Sequence, residues 1–230
     1  MKTIGLLGGM SWESTLEYYR IINREMSKRL GGLHSAKILM YSVDFGEVEP
    51  LMQMGDWQKI GDHVAGIARR LESAGADCIL LCTNTVHKVA DRIEQAISVP
   101  FVHIADATGE GIVSRGLKKV GLLGTRYTME EDFYRSRLNT RFGISILAPS
   151  EGDRVLVNDV IFSELCQGVI AQSSRERFRE IVAELASRGA QGIILGCTEI
   201  PLLLKQEDSP VPLFDTTLMH ALRAVDFALS

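Results

Sequence analysis

The sequence alternates between short apolar runs of strand length and longer segments whose apolar residues recur at helical spacing. The apolar runs lie at 4–7, 37–43, 78–81 and 99–104 in the first half of the chain. Between them, the helical spacing predicts helices from about Ser14, over 58–73 and over 86–97. The stretch 44–56, rich in acids and Met, is predicted to be an irregular loop. Alternating strands and helices favour parallel sheets.

The second half of the chain repeats stretches of the first half in the same order. Residues 120–125 repeat 4–9, residues 185–190 repeat 71–76, and residues 211–214 repeat 99–102. This pattern predicts an α/β fold of two pseudo-symmetric α/β domains with mostly parallel sheets. We expect residues 1–100 plus 210–230 in the first domain and 101–209 in the second. Because ligands bind beyond the carboxyl ends of parallel strands, the active site is expected in the cleft between the domains.

The composition narrows the class of protein. A 46% hydrophobic and 23% charged content is typical of a soluble globular protein. The net charge of −4 and the absence of a Lys/Arg run predict neither a nucleic-acid nor a membrane partner. Met1 leads directly into a strand, so no signal peptide is expected. The four cysteines lack scaffold or zinc spacing, which predicts free thiols, no metal site and a cytoplasmic location.

One motif, Gly-Cys-Thr-Glu at 196–199, follows the apolar run 192–195. Alone, its cysteine would be interpreted as a buried packing thiol. An offset of 114 gives each residue of the motif an equivalent in the first half. The equivalences are Thr83 with Cys197, Asn84 with Thr198, and Thr85 with Glu199. Two proton-transfer groups on opposite sides of one carbon are what stereoinversion at an acidic C–H bond requires. Backbone N–H groups at the following helix starts can bind and stabilise a carboxylate.

The chain resembles the aspartate/glutamate racemase family over nearly its full length. The matching segments are IGLLGGM at 4–10, TNTVH at 83–87, GLLGTRYT at 121–128 and LGCTEIP at 195–201. The resemblance implies an isomerase that interconverts L- and D-amino acids, aspartate and glutamate or a broader set, without any cofactor. It also implies a small-molecule amino-acid substrate, a homodimer, and Cys197 as the group that acts on the L-enantiomer.

The family's first catalytic cysteine is replaced here by Thr83. Cys82 lies beside it, but neighbouring residues in extended chain point to opposite faces. The repeat also places Gly196, not Cys197, opposite Cys82. We therefore favour Thr83 as the active-site residue and Cys82 as a packing residue. Because a hydroxyl ionises far less readily than a thiol of pKa ~8.5, Cys197 is expected to abstract the proton and Thr83 to donate or relay one.

The resemblance also implies which residues hold the substrate. The positions matching those that bind its amino and carboxylate groups are Met10, Asn84, Thr85, Thr125, Thr128 and Thr198. Glu199 is grouped with them and is expected to orient the helix start or Cys197. Gln53 is a candidate neutral contact, since its segment carries Glu47 and Glu49 and no guanidinium clamp. Strict specificity for acidic amino acids is therefore not expected. A structural hydrogen bond is favoured for His87 over catalysis.

Two other function classes remain open. A decarboxylase or a cis-trans isomerase of small diacids on the same scaffold needs only one cysteine. A non-catalytic small-molecule-binding module is the other class, although the complete motif around Cys197 argues against it.

Overall fold

The computed structural model describes residues 1–230 and divides into two compact units. The first contains Met1–Ile104 and Thr217–Ser230, and the second contains Ala105–Thr216. Each unit has one four-stranded, fully parallel sheet with flanking helices. The predicted class, two similar α/β units with parallel sheets, is confirmed. None of the helices combines the length and the apolar character needed to cross a membrane.

The first unit is built around a sheet with the strand order β2-β1-β3-β4. Its elements are β1 Ile4–Gly8, α1 Trp12–Leu30, β2 Ile38–Ser42, α2 Phe45–Met54, α3 Trp57–Ser73, β3 Cys78–Leu81, a 3-10 helix Thr85–Val89, α4 Ala90–Glu94 and β4 Phe101–Val102. The second unit opens with α5 Ile104–Ser114, whose first residue ends the first unit's segment.

The second unit repeats the same sheet with the order β6-β5-β7-β8. Its further elements are β5 Lys119–Gly124, α6 Arg126–Glu130, α7 Asp132–Phe142, β6 Ser145–Leu147, α8 Glu151–Ser163, a 3-10 helix Leu165–Gln167, α9 Gln172–Ser187, β7 Ile193–Gly196, α10 Ile200–Leu203, a 3-10 helix Gln206–Asp208 and β8 Leu213–Asp215. The chain then returns to the first unit through α11 Thr216–Leu229.

The prediction of an irregular loop over 44–56 is wrong, because α2 occupies most of it. The Asp44 side chain accepts a hydrogen bond from the Gly46 N–H and so caps the helix start. Gly55 ends the helix with a left-handed φ of 71°, which glycine adopts without steric cost. Val48 and Met52, four residues apart, supply the buried face. Two strong caps and one buried edge are enough to form a ten-residue helix here.

Other element boundaries also differ from the predictions. The predicted helix over 86–97 is a 3-10 helix followed by the short α4, and the fourth strand is only Phe101–Val102. The second unit extends to Thr216, whereas the sequence-based expectation ended the second domain at 209. The cause is β8, which pairs in parallel with β7 through Ile194 and Phe214 and therefore belongs to the second sheet.

The core of the first unit contains a buried polar contact as well as apolar packing. Fully buried residues from β1, β3, α1 and α11 form one cluster, which includes Leu6, Tyr18, Cys82 and Ala221. The Tyr18 hydroxyl lies 2.8 Å from Nδ1 of His220, whose Nε2 lies 2.6 Å from the carbonyl oxygen of Val102. Because that carbonyl can only accept, Nε2 carries the hydrogen, and in the neutral ring Nδ1 accepts from the Tyr18 hydroxyl.

Candidate active site

The pairing registers of the two sheets give an independent test of the internal repeat. Leu7 of β1 pairs with Leu81 of β3, and Leu123 of β5 pairs with Leu195 of β7. Both pairs fit the repeat, since 7 and 123 differ by 116 and 81 and 195 differ by 114. The residue two positions after Leu81 is Thr83, and the residue two positions after Leu195 is Cys197. The two side chains therefore hold equivalent positions at the carboxyl ends of the two sheets.

Cys197 lies directly after β7 and contacts a buried carboxylate. Its side chain is 8% exposed, and its Sγ donates a hydrogen bond of 2.9 Å to Oε2 of Glu199. The Thr198 hydroxyl donates to the same oxygen at 2.7 Å. Glu199 is only 5% exposed, and its Oε2 atom accepts two hydrogen bonds, one from the thiol and one from the hydroxyl.

This environment favours the thiol form of Cys197. Burial raises its pKa well above the usual value, and the negative charge of Glu199 and its hydrogen bond with the thiol raise it further. The partly buried Cys166, in the 3-10 helix Leu165–Gln167, acts in the same direction. The backbone N–H of Glu199 opposes these effects, because it donates to the sulfur and favours the thiolate. A thiolate at Cys197 therefore requires an acceptor for its proton.

Thr83 lies at the equivalent end of β3 and is 8% exposed. Its backbone is held on both sides: its N–H donates to the carbonyl of Leu81 at 2.9 Å, and its own carbonyl lies 2.6 Å from Nδ1 of His87. Asn84 and Thr85, which follow at the start of the 3-10 helix, are also buried. The segment around Thr83 is therefore a fixed, buried turn.

His87 acts as the anchor of this turn. Its Nε2 accepts the backbone N–H of Ile104 at 3.2 Å, so its Nδ1 carries the hydrogen that is donated to the carbonyl of Thr83. Both ring nitrogens thus bind backbone groups of the first unit, and the ring is 2% exposed. The observed role is the structural hydrogen bond favoured from the sequence.

Cys82 lies in the apolar cluster of the first unit and is fully buried. Burial raises the pKa of its thiol far above the usual range. Its carbonyl accepts a 3.0 Å hydrogen bond from the hydroxyl of Ser14, near the start of α1. This placement agrees with the interpretation of Cys82 as a packing residue.

The loop after β1 carries Met10, which is buried. Gly9 has a φ of +94°, and a Cβ there would lie 2.2 Å from the carbonyl oxygen of Val43. The Gly9 N–H donates to Oγ1 of Thr15 at 2.8 Å, and that hydroxyl donates to the carbonyl of Ser11. Thr15 was not expected to shape this loop. The sequence feature that could have indicated this role is a hydroxyl residue in the first turn of the helix after the Gly-Gly pair.

The equivalent loop after β5 contains two of the predicted binding residues. Thr125 caps α6, its hydroxyl accepting from the Thr128 N–H at 3.4 Å. The two hydroxyls lie 3.2 Å apart, and both side chains are buried. The second sheet therefore presents Thr125, Thr128, Cys197 and Thr198 around the carboxyl ends of β5 and β7.

Gln53 has a different environment from the other predicted residues. It is exposed on α2, and its amide donates a hydrogen bond to the side chain of Glu49. No group of three or more His, Cys, Asp or Glu side chains in the chain is arranged to hold a metal ion.

Comparison with solved structures defines the class of protein. A Yersinia pestis crystal structure, described as that of a proposed Asp/Glu racemase, matches with 53% identity and a TM-score of 0.95 over 100% of both chains. An aspartate racemase homologue from Pyrococcus horikoshii OT3 matches with 36% identity and a TM-score of 0.86, again over 100% of both chains. The fold is that of the two-unit α/β racemases.

The family follows from the sequence. The family model described as Asp/Glu/Hydantoin racemase matches residues 7–224, and the chain belongs to this family. The broad specificity amino-acid racemase RacX of Bacillus subtilis (strain 168) is 27% identical over 232 residues, covering 99% of this chain and 98% of that protein. The predicted resemblance and the assignment to the isomerases are confirmed.

Proposed function

We propose that the protein is a cofactor-independent amino-acid racemase in which Cys197 and Thr83 act on opposite faces of the substrate's α-carbon. The observation that supports this proposal is the equivalence of the two side chains in the pairing registers of the two sheets. Cys197 removes the α-proton of the L-enantiomer, and Thr83 delivers a proton to the other face. The pair is asymmetric, since a thiol forms its anion far more readily than an aliphatic hydroxyl.

Polar side chains around the site suit a developing carbanion. As the α-proton leaves, negative charge spreads into the substrate's carboxylate, and hydrogen-bond donors aimed at that carboxylate lower the barrier. The candidate donors are the side chains of Asn84, Thr85, Thr125, Thr128 and Thr198, with Met10 closing the loop after β1. Four of these six side chains belong to the turns that follow β3 and β7 or cap α6.

The proposed substrates are amino acids, aspartate and glutamate or a broader set, without strict specificity for acidic side chains. Glu47 and Glu49 lie on α2, where Glu49 already accepts from Gln53. An acidic side chain brought near these carboxylates would be repelled, and a buried charge without a partner is unfavourable. The Bacillus subtilis relative is described as a broad specificity amino-acid racemase, which agrees with a wider range of substrates. Gln53 is proposed as a neutral contact for such side chains.

Incubation of a panel of L- and D-amino acids in D2O without pyridoxal phosphate tests the proposal. We expect the L-enantiomer to gain α-deuterium faster than the D-enantiomer, Cys197→Ala to abolish exchange, and Thr83→Ala to reduce inversion. Cys82→Ala is the matched control and should leave both rates near those of the wild type. Equal exchange of the two enantiomers, unaffected by Thr83→Ala, would refute the assignment of the pair.

A second function is favoured by one observation, the single thiol among the two equivalent strand-end positions. One thiol suffices for decarboxylation or for cis-trans isomerisation of a small diacid. Maleate and a substituted malonate, included in the same panel, separate these activities from racemisation. Product formed from either compound without inversion of any amino acid would favour this second function.

A further inference from the structure

Two adjacent hydroxyl side chains in the first turn of α1, Ser14 and Thr15, have no part in the proposed chemistry. They are only 2% and 3% exposed. A hydroxyl buried this completely is unfavourable unless it is hydrogen-bonded. Each of the two bonds to the backbone of a different segment of the first unit, and each of those segments carries a proposed site residue.

Ser14 holds the peptide group that precedes Thr83. Its hydroxyl donates to the carbonyl oxygen of Cys82 at 3.0 Å. The pairing of β3 with β1 ends at Leu81, so Cys82 lies beyond the paired residues and its carbonyl takes its donor from a side chain. Because this carbonyl and the N–H of Thr83 belong to one planar peptide group, the bond restricts the direction in which the Thr83 side chain leaves the backbone. His87 holds the following peptide group in the same way.

Thr15 closes the loop that carries Met10. Its Oγ1 accepts the N–H of Gly9 at 2.8 Å and donates to the carbonyl of Ser11 at 3.0 Å. The two residues that it joins stand directly before and after Met10. A Cβ at Gly8 would lie 2.4 Å from the same Oγ1, so the hydroxyl packs into space that a side chain at this position would fill. One hydroxyl therefore constrains the loop on both sides of Met10.

We infer that Ser14 and Thr15 are positioning residues of the active site, Ser14 for Thr83 and Thr15 for the loop that carries Met10. The hydrogen-bond geometry carries this inference, which rests on the proposed function. Because the two residues are adjacent on the first turn of a 19-residue helix, they hold the Thr83 turn and the Met10 loop at a fixed spacing. Buried residues on the inner face of the helix anchor it in the core of the unit: Tyr18, Ile22 and Met26.

The loss of the Ser14 hydroxyl should separate exchange from inversion. Ser14→Ala removes the donor to the Cys82 carbonyl, so Thr83 should leave the position from which it reprotonates the substrate. Cys197 belongs to the other unit and keeps its contact with Glu199, so it should continue to exchange the α-proton of the L-enantiomer. Because a displacement of about 1 Å can slow a reaction on the order of 10²-fold, we expect inversion to fall roughly tenfold while exchange of the L-enantiomer stays within about twofold of the wild type.

The loss of the Thr15 hydroxyl should instead weaken substrate binding. Thr15→Val keeps the shape of the side chain and removes both hydrogen bonds of Oγ1, so the loop that carries Met10 loses its closure. We expect KM to rise roughly tenfold for both enantiomers, with an unchanged ratio of exchange to inversion. Thr15→Ser, which retains the hydroxyl, should recover most of the wild-type KM.

The test measures α-deuterium exchange and inversion of both enantiomers in D2O, with the full-length protein at a temperature where circular dichroism shows each variant to be folded. Tyr18→Phe is the matched control, because it removes another buried hydroxyl of α1, which bonds to Nδ1 of His220 at 2.8 Å. It should lower the thermal unfolding temperature but change neither KM nor the ratio of exchange to inversion. Ser14→Thr, which keeps the donor, should keep the wild-type ratio.

The outcomes that overturn the inference differ from those that overturn the proposed function. A wild-type ratio in Ser14→Ala, or a wild-type KM in Thr15→Val, would show that the hydroxyl in question only stabilises the helix. An equal rise of the ratio in Tyr18→Phe would also overturn the inference, because the loss of any buried hydroxyl of α1 would then be sufficient. Full activity in Cys197→Ala, or unchanged inversion in Thr83→Ala, would refute the proposed acid–base pair itself.

Discussion

Replacement of His87 tests how the turn that carries Thr83 is held. The imidazole binds two backbone groups of the first unit, the carbonyl of Thr83 at 2.6 Å and the N–H of Ile104 at 3.2 Å. His87→Ala removes both partners from a site that is 2% exposed. The ring also packs against His103, with centroids 4.5 Å apart.

The magnitude follows from the two lost hydrogen bonds. A buried polar group left unsatisfied destabilises a protein by about 1–3 kcal/mol. Two such groups give a loss of about 2–6 kcal/mol for His87→Ala. The amide nitrogen of His87→Asn can replace Nδ1 and bind the Thr83 carbonyl, and the amide oxygen of His87→Gln can replace Nε2 and accept from Ile104. Each of these two variants should lose about half as much.

Urea unfolding followed by tryptophan fluorescence measures the loss. Both tryptophans, Trp12 and Trp57, lie in the first unit. Trp57 reports on the correct region, because the Nζ of Lys88, the neighbour of His87, lies 4.1 Å from its ring centroid. An unfolding free energy of His87→Ala within about 0.5 kcal/mol of the wild type would refute the argument. It would mean that the two backbone groups find other partners.

The same variants separate stability from catalysis. If the bond to the Thr83 carbonyl positions the hydroxyl, His87→Asn should retain more inversion activity than His87→Gln at equal folded fraction. Equal activity of the two variants would mean that His87 stabilises the unit without fixing Thr83.

Three further predictions concern other parts of the molecule. Gly196→Ala should destabilise the protein by about 1–3 kcal/mol, measured by thermal unfolding, because the added Cβ would lie 2.9 Å from the carbonyl oxygen of Leu123. Burial acts to raise the pKa of Asp208, but the hydrogen bonds and charge of Arg175, together with the Lys205 N–H and the charge of Arg179, outweigh it and hold this pKa below its usual value. That stability is present above the unfolded-state pKa of ~3.9 and is lost as the pH falls through the folded-state value. The stability difference between the wild type and Arg175→Met should therefore shrink below about pH 4 in urea titrations, and a constant difference would contradict this. Thr83→Cys should raise the rate of inversion on the order of 10²-fold, measured by chiral chromatography, and an unchanged rate would contradict the assignment of Thr83.

The internal repeat is enough to predict the fold from the sequence. Three short matches at offsets of 112 to 116 implied one unit used twice, and the two sheets have the same strand order. The equivalence of Thr83 and Cys197 also came from this offset, and the register of Leu81 and Leu195 agrees with it. The hydrophobic pattern predicted these strands because strands that are buried on both faces appear in the sequence as continuous apolar runs bounded by small residues.

Elements fixed by local caps or tertiary contacts were less predictable. α2 has only a narrow buried edge and contains Pro50, so its apolar period is weak, and its caps at Asp44 and Gly55 define it. The limit of the second unit depends on the pairing of β8 with β7, which no local pattern specifies. Glu199 was expected to orient the helix start or Cys197, and its hydrogen bond with the Cys197 thiol forms because the turn that follows β7 brings the two side chains together.

Thermodynamics limits how the unequal strengths of Thr83 and Cys197 can affect the measured rates of inversion. Two enantiomers have the same free energy in water, so kcat/KM for net inversion must be equal in the two directions, however unequal the two proton-transfer groups are. A weak base at Thr83 therefore slows inversion both ways. The asymmetry can appear only in the partition of the carbanion, which Cys197 reprotonates more often than Thr83. If the proton on the sulfur exchanges with solvent, as its contact with Glu199 allows, L-substrate should gain deuterium faster than it inverts. D-substrate should gain deuterium no faster than it inverts, and Thr83→Cys should remove this difference. Equal exchange-to-inversion ratios for the two enantiomers of the wild type would show that Thr83 and Cys197 are matched in strength.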